Sequence, residues 1–310
     1  MSAIIRIGTR ASAMAMAQAH RVKHQLLQVE PDLTVDVVPL TTTGDRWTGP
    51  LAQLGGKGAF TKEVDAALLA GEVDLAVHCV KDVPGDRPVP EGTVLAAYLA
   101  RDDVRDAVVL REAASLGELS AGARVGTSSP RRTAQLALHW PHLEPVPIRG
   151  NANSRLAKLD AGEYDALLLA VAGLERIGLT ERIGHILSIE EMLPAVGSGT
   201  LVLQCRLDDE ATLRRARAIG DDTAWRITTA ERAMLRVLGG HCHSPIAALA
   251  TVESDGDMQL LGRVMSPDGK VVLDASHRHG DPESLGTSVG ERLLAQGAAD
   301  VIARADQARV

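Results

Sequence analysis

The chain has 310 residues, with 33 Lys plus Arg against 40 Asp plus Glu, 45% hydrophobic residues and 24% charged ones. That is the balance of a globular protein long enough for two or three domains. A formal charge of −7 and an aromatic set of three Trp, two Tyr and one Phe argue against a general nucleic-acid surface, which needs a basic face and stacking rings, so an anionic ligand must meet a local cluster of cations. The longest apolar run, 166–174, is half a membrane span, and Arg6 and Arg10 interrupt the N-terminal stretch before a signal-peptide core can form, so neither membrane insertion nor secretion is expected. Three cysteines, Cys79, Cys205 and Cys242, form no CxxC pair and suit a reducing cytoplasm.

In chain order, Ile4 to Ile7 reads as a strand ending in Gly8-Thr9-Arg10, followed by a helical run from Ser12 to about Leu27. An apolar strand, Val35 to Leu40, leads to Thr43-Gly44-Asp45, and Gly44 to Phe60 is a glycine-rich stretch read as a mobile lid. Ala70-Gly71-Glu72-Val73-Asp74-Leu75 opens the next strand, which runs into Lys81-Asp82.

A second copy of this pattern starts at Arg124. Arg124-Val125 leads to Gly126-Thr127-Ser128-Ser129, and Pro130 takes the position favoured in the first turn of a helix running to about Trp140. Val146 to Ile148 precedes Arg149-Gly150-Asn151, and Ala161-Gly162-Glu163-Tyr164-Asp165-Ala166 repeats the earlier hexapeptide. Strands alternating with helices predict βαβ units, hence two tandem α/β domains, each around a mainly parallel sheet with ligands at the carboxyl ends of the strands. Beyond Gly199 come a short strand, a charged helix, a helix from about Trp225 to Leu238, strand-like pieces at Met258 to Val264 and Val271 to Ser276, and an amphipathic helix from Pro282 to Ala295. The last part reads as a small third domain.

The predicted strand ends gather Arg10, Lys57, Lys81, Arg131, Arg132, Arg149, Arg155 and Arg176. Guanidinium groups grip carboxylates through paired hydrogen bonds, and Arg131 and Arg132 stand beside the free N–H groups of a helix opening, so a carboxylate-rich ligand suits them. Ordinary surface ion pairs would account for the same residues. Asp82, at the end of an apolar strand among cations, could steady a developing positive charge or move protons, or simply form the turn before Pro84. Cys242, after Gly239-Gly240, reads as a nucleophile or attachment point, whereas Cys79 and Cys205 read as core. The His241-Cys242-His243 run is not read as a metal site, since adjacent side chains rarely reach one ion together.

These motifs together resemble the porphobilinogen deaminase (hydroxymethylbilane synthase) family over essentially the whole chain. The resemblance rests on Gly8-Thr9-Arg10 with Ser12 and Gln18, Leu54-Gly55-Gly56-Lys57-Gly58, Val77-His78-Cys79-Val80-Lys81-Asp82-Val83-Pro84, and Val125 to Ser129 with Arg131-Arg132. It continues through Arg149-Gly150-Asn151 with Arg155-Leu156, Ala170 to Leu174 with Arg176, Leu193 to Gly197, and Glu231-Arg232 ahead of Cys242 and Pro245. Family members usually differ at Cys79 (serine), Ser198 (glutamine), His241 (a small residue) and Ser244 (β-branched), and often carry basic residues where this chain has Thr43 and Gln53.

The resemblance implies an α/β fold of two domains like type II periplasmic binding proteins plus a small α+β domain, with boundaries at 1–98 with 198–218, 103–193, and 220–310. It implies the head-to-tail condensation of four porphobilinogen molecules, with loss of ammonia, into hydroxymethylbilane for haem and corrinoid biosynthesis, by a cytoplasmic monomer without nucleic-acid, membrane or metal partners. Carried over by motif, Cys242 bears a dipyrromethane cofactor through a thioether and Asp82 is the catalytic carboxylate. Cofactor and substrate are held by Arg10, Ser12, Lys81, Thr127, Ser128, Ser129, Arg131, Arg132, Arg149, Gly150, Arg155 and Arg176, and Lys57 and Phe60 belong to the lid. A paralogue condensing a modified pyrrole, or a clamp that binds a small molecule without catalysis, would share the fold.

Overall fold

Short apolar runs that end on glycine or on a charge become the strands, and the amphipathic runs between them become the helices. The computed structural model describes residues 4–47, 58, 60–241 and 244–307. Lys57, Cys242 and most of the glycine-rich stretch assigned to a lid lie outside the described residues. The first elements are β1 (Ile4–Arg10), α1 (Ala13–Val29), β2 (Thr34–Leu40), a short α2 (Thr43–Arg46), α3 (Lys62–Leu69), β3 (Leu75–Cys79) and β4 (Thr93–Tyr98). Then follow β5 (Asp106–Leu110), β6 (Arg124–Gly126), α4 (Pro130–His139), β7 (Glu144–Val146), α5 (Ala152–Asp160), β8 (Ala166–Ala170), α6 (Val171–Arg176) and β9 (His185–Ile186). The chain ends with β10 (Leu201–Arg206), α7 (Glu210–Ala218), α8 (Asp222–Val237), β11 (Ile246–Val252), β12 (Met258–Met265), β13 (Val272–His279), α9 (Pro282–Ala295) and α10 (Ala298–Gln307).

Two compact units result, one of Met1–Asp102 with Gly199–Arg226, the other of Asp103–Ser198 with Ile227–Val310. The first holds a five-stranded sheet in the order β2-β1-β3-β10-β4, and the second a five-stranded sheet in the order β7-β6-β8-β5-β9 together with the three-stranded β11-β12-β13. In each five-stranded sheet the first three strands are parallel and the fourth runs against both its neighbours, so four strands share one direction. The expected mainly parallel sheet therefore holds in both, with one reversed strand inserted: β10, which follows the whole second sheet in sequence, and β5, which opens it.

The sequence repeat reappears as a repeated hydrogen-bond pattern. Gly71 and Gly162 end α3 and α5 at φ +69° and +78°, a left-handed turn that glycine adopts without strain. Three residues on, Asp74 N–H donates to Arg6 O at 2.8 Å while Arg6 N–H donates to the Asp74 carboxylate at 2.9 Å. Asp165 and Arg124 make the same reciprocal pair at 2.9 and 2.8 Å. Each aspartate thereby fixes the start of its strand against the first strand of the repeat. Behind these clamps Val73 packs on Gly8 and Tyr164 on Gly126.

Both faces of each five-stranded sheet are covered by helices, which is why β3 and β8 read as continuous apolar runs. In the first unit Ile5, Ile7, Val22, Leu26, Leu203 and Leu213 fill one side and Val64, Leu68, Val73 and Ala76 the other. The second unit divides likewise, around Leu167 and Leu169 on one face and Val125, Leu136 and Leu168 on the other. The apolar run 166–174 is thus not one element: β8 ends at Ala170 and α6 begins at Val171. The helix expected from Trp225 starts three residues earlier, because Asp221 accepts the Ala224 N–H at 2.6 Å and caps it. No helix among the described residues is long and apolar enough to cross a membrane.

A Cβ on Gly126 would stand 2.5 Å from Leu167 Cδ2 and 3.1 Å from Tyr164 Cδ1, both in the packed core. Gly126→Ala is therefore expected to cost about 1–3 kcal/mol through overpacking, read as a lowered urea midpoint.

Candidate active site

In the first unit β1 and β3 are parallel neighbours, so their carboxyl ends emerge side by side. Arg10 closes β1, and Lys81 and Asp82 form a single 3-10 turn directly after β3. The turn is pinned by Val80 N–H donating to Thr200 O and Val83 N–H donating to Val80 O, both at 3.0 Å. Lys81 is exposed and Asp82 half-buried. Ser12 caps α1, its hydroxyl accepting the Ala15 N–H at 3.3 Å.

Arg10 is the centre of this half. Its guanidinium forms a two-point ion pair with Asp45, Nε to Oδ2 at 3.2 Å and Nη2 to Oδ1, and lies 4.3 Å from the centroid of the Phe60 ring. Burial opposes the Arg10 charge, but the Asp45 hydrogen bond and the nearby carboxylates of Asp82 and Asp45 outweigh it and raise its pKa. The opening of the expected lid is thus not loose: α2 is closed by a capping box between Thr42 and Asp45, and Thr43 N–H donates to Glu63 at 2.9 Å. Beneath the turn, His78 is buried and its pKa falls to about 4, chiefly through that burial. Cys79 is half-buried, its sulfur accepting from Gln18 Nε2 at 3.1 Å, while Cys205 is fully buried and its thiol pushed up to about 12 by burial.

The second unit carries the remaining cations. Ser129 caps α4 and Pro130 fills its first turn as the sequence predicts. Arg131 and Arg132 do not simply line the helix opening, however: both reach one buried carboxylate, Asp106 at the start of β5. Arg132 Nη2 and Nε lie 2.6 and 3.1 Å from the two Asp106 oxygens, Arg131 Nη2 lies 2.7 Å away, and the two guanidiniums also donate to Leu168 O and Leu193 O. The Arg131 and Arg132 side chains are only 5% and 11% exposed, so both charges are answered within the protein by Asp106. Burial alone would raise the Asp106 pKa, and the two arginines reverse this and hold it well below the usual carboxylate range.

Ser128 is likewise engaged within the protein, its hydroxyl donating to Ile148 O at 2.6 Å and accepting from Ile148 N–H at 3.1 Å. It fixes the backbone at Ile148, beyond β7, which ends at Val146 and not at Ile148 as the sequence suggests. Thr127 is buried, its hydroxyl accepting the Ser129 N–H at 3.2 Å. Gly150 has φ +110°, and a Cβ there would stand 2.1 Å from Ser154 Oγ, so only glycine fits. Its carbonyl accepts Arg155 Nε at 2.8 Å. Arg155 is lowered to about 10, first by burial and then by the charges of Arg132 and Arg149, and burial also lowers Arg149. Arg132, Arg149 and Arg155 therefore form one cluster of mutually repelling cations, while Arg176 is half-buried at the end of α6.

The segment around Cys242 is described only at its edges. Ser244 Oγ accepts the His241 N–H at 3.2 Å, Ser244 N–H donates to His241 O at 2.9 Å, and His241 Nε2 lies 3.4 Å from Asp306. Buried Glu231 accepts the N–H groups of Gly197 and Ala250 at 2.7 and 2.9 Å. Sequence reasoning missed Asp106 and the ion-pairing of Asp45. The signal for Asp106 was present: a carboxylate opening the apolar run Asp106-Ala107-Val108-Val109-Leu110 has to find a buried cation. Among the described residues no cluster of three or more His, Cys, Asp or Glu could hold a metal ion.

Comparison with known proteins adds the family. A family model described as the dipyromethane cofactor binding domain of porphobilinogen deaminase matches residues 5–214, and one described as the porphobilinogen deaminase C-terminal domain matches residues 225–295. The chain is 58% identical over 301 residues to porphobilinogen deaminase 2 of Streptomyces coelicolor, covering 96% of each protein. It is 46% identical over 299 residues to porphobilinogen deaminase of Acidithiobacillus ferrooxidans, covering 96% of this chain and 97% of that one. Solved structures similar to it include the methionine-binding protein MetQ, at a TM-score of 0.45 and 14% identity over 74% of this chain and 94% of that one. A periplasmic substrate-binding protein from Coxiella burnetii gives a TM-score of 0.44 at 16% identity over 71% and 93%.

Removing the Asp106 charge strands two buried guanidiniums. Asp106→Asn is expected to cost about 3–5 kcal/mol at neutral pH. The contribution of a carboxylate whose folded pKa is depressed is complete above its unfolded value of about 3.9 and lost as pH falls through the folded value. The gap between wild type and variant should therefore persist at neutral and mildly acidic pH and close only in strong acid, as read by denaturant titrations across pH.

Proposed function

Because the chain belongs to the porphobilinogen deaminase family, we propose that it joins four porphobilinogen molecules head to tail, releasing ammonia at each condensation, and delivers linear hydroxymethylbilane for tetrapyrrole (haem and corrinoid) biosynthesis. The observation that carries this reading is the pairing of two chemistries. In the first unit a half-buried carboxylate, Asp82, acts electrostatically on Arg10. In the second, Arg132 and Arg149 lie close enough to Arg155 for their charges to add to the effect of its burial, and together these lower Arg155 to about 10.

A dipyrromethane group fits the second set. It carries an acetate and a propionate on each ring, and several carboxylates relieve the repulsion among clustered guanidiniums. We assign its retention to Ser129, Arg132, Arg149, Gly150, Arg155 and Arg176, with Thr127 and Ser128 shaping the backbone, Arg131 acting from behind through Asp106, and Cys242 as the thioether anchor. When bound, the group supplies the pyrrole carbon to which the first substrate ring is joined.

The remaining chemistry falls to the first unit. Loss of ammonia from porphobilinogen leaves a cationic azafulvene, and the Asp82 carboxylate is assigned to stabilise that charge and accept hydrogen bonds from pyrrole N–H groups. Arg10, Ser12 and Lys81 hold the side-chain carboxylates of the incoming molecule, and Lys57 and Phe60 belong to the segment that covers it. We further assign residues 220–310 to a domain of their own, supported by the separate core of Met234, Leu260, Val264, Val289 and Leu293. The protein is placed in the cytoplasm as a monomer.

Protein isolated from pyrrole-competent cells should weigh more than its sequence by one dipyrromethane, and Cys242→Ser should not. With porphobilinogen it should release ammonia, and Asp82→Ala should lose about 10²–10³ in kcat with unchanged circular dichroism. An unmodified wild-type mass would remove the cofactor assignment. A loaded protein that releases no ammonia would favour a modified pyrrole as substrate.

A further inference from the structure

We propose that Asp45 is a positioning residue for substrate binding, which holds the Nε edge of the Arg10 guanidinium so that the Nη1 side is presented to a substrate carboxylate. The proposal rests on the reading of Arg10 as a carboxylate ligand. Asp45 is not a swinging surface partner: its Oδ2 accepts Thr42 Oγ1–H at 2.7 Å, Thr42 N–H at 3.3 Å and Arg10 Nε–H at 3.2 Å, and its Oδ1 accepts from Nη2. The two Thr42 donors therefore hold the carboxylate independently of Arg10, and the carboxylate, taking both Nε and Nη2, sets the plane of the guanidinium. Phe60 covers the guanidinium at 4.3 Å. With one edge and one face taken, the edge formed by Nη1 and the second Nη2 hydrogen remains, and among the described residues Nη1 has no hydrogen-bond partner. A guanidinium can take one carboxylate on each edge. Arg10 is thus a two-sided joint, with the protein's carboxylate on one side and a place for the substrate's on the other. At 25% side-chain exposure it is open enough to be reached and enclosed enough for its orientation to matter.

The test is a double-mutant cycle on the cofactor-loaded enzyme with porphobilinogen as the probe. Asp45→Asn keeps an acceptor for the Thr42 cap and removes the charge that aligns Arg10. It should raise KM about tenfold while leaving kcat within about twofold. Arg10→Leu should raise KM further, and adding Asp45→Asn to Arg10→Leu should have no additional effect, because Asp45 acts only through Arg10. A lowered KM in Asp45→Asn would show Asp45 to be a competitor for the arginine and would overturn the proposal, as would an unchanged KM or effects that add in the double variant. An Arg10→Leu enzyme with unaltered KM would overturn the reading of Arg10 itself. If the wild type binds porphobilinogen without turning it over, the activity reading alone fails, and the same cycle is read as Kd by calorimetry with the same expectations.

Discussion

A guanidinium taken out of water must keep a carboxylate beside it, and the architecture of the second unit follows from that requirement. Asp106 lies at the start of β5, the strand that runs against its neighbours, and faces two arginines from the first turn of α4. An unpaired buried charge would cost several kcal/mol, so strand and helix are bound to one relative placement. Arg131 and Arg132 also donate to the carbonyls of Leu193 and Leu168, which ties the chain leaving the sheet to the same point. Arg149 and Arg155 lie half-buried beyond this pairing, and the charges of Arg132 and Arg149 act on Arg155.

The two five-stranded sheets are one scaffold used twice with different electrostatics. The clamps at Asp74 and Asp165, the glycine turns before them and the Gly8 and Gly126 packing points correspond element by element. Their strand ends differ. The first presents an arginine already flanked by Asp45 and Asp82, and the second presents cations flanked by one another. On the proposed reading this asymmetry divides the work: mixed charge stabilises a transient cation, and concentrated positive charge retains a polyanionic product.

The residues that the sequence reading sets apart from the family pattern have partners in the structure. Ser244 is buried and closes a turn on His241, whose ring reaches Asp306 of α10. A small residue in place of His241 would lack the imidazole for Asp306, and an aliphatic β-branched one in place of Ser244 would lack the hydroxyl for the turn. Cys79 is accommodated by Gln18, whose side-chain amide donates to the sulfur.

The internal repeat, the strand and helix order, the caps at Ser12 and Ser129 and the family motifs were legible in the sequence, because they depend on contacts a few residues apart: side-chain periodicity, glycine at positive φ, hydroxyls beside free N–H groups. The reversed strand in each sheet was not, since β10 and β5 join their sheets across long sequence distances that local pattern does not encode. For the same reason the sequence identified the arginines without saying which of them point outward. Arg131 and Arg132 are adjacent letters at a helix opening, yet both turn to the buried Asp106, and of the two it is Arg132 that also lies close enough to Arg155 to lower its pKa. Whether Arg10 stands alone or already holds Asp45 was decided by the turn that brings residue 45 back to the end of β1. Charge type is a property of the residue, but desolvation and partnership belong to the fold, and those two decide what each charge can do.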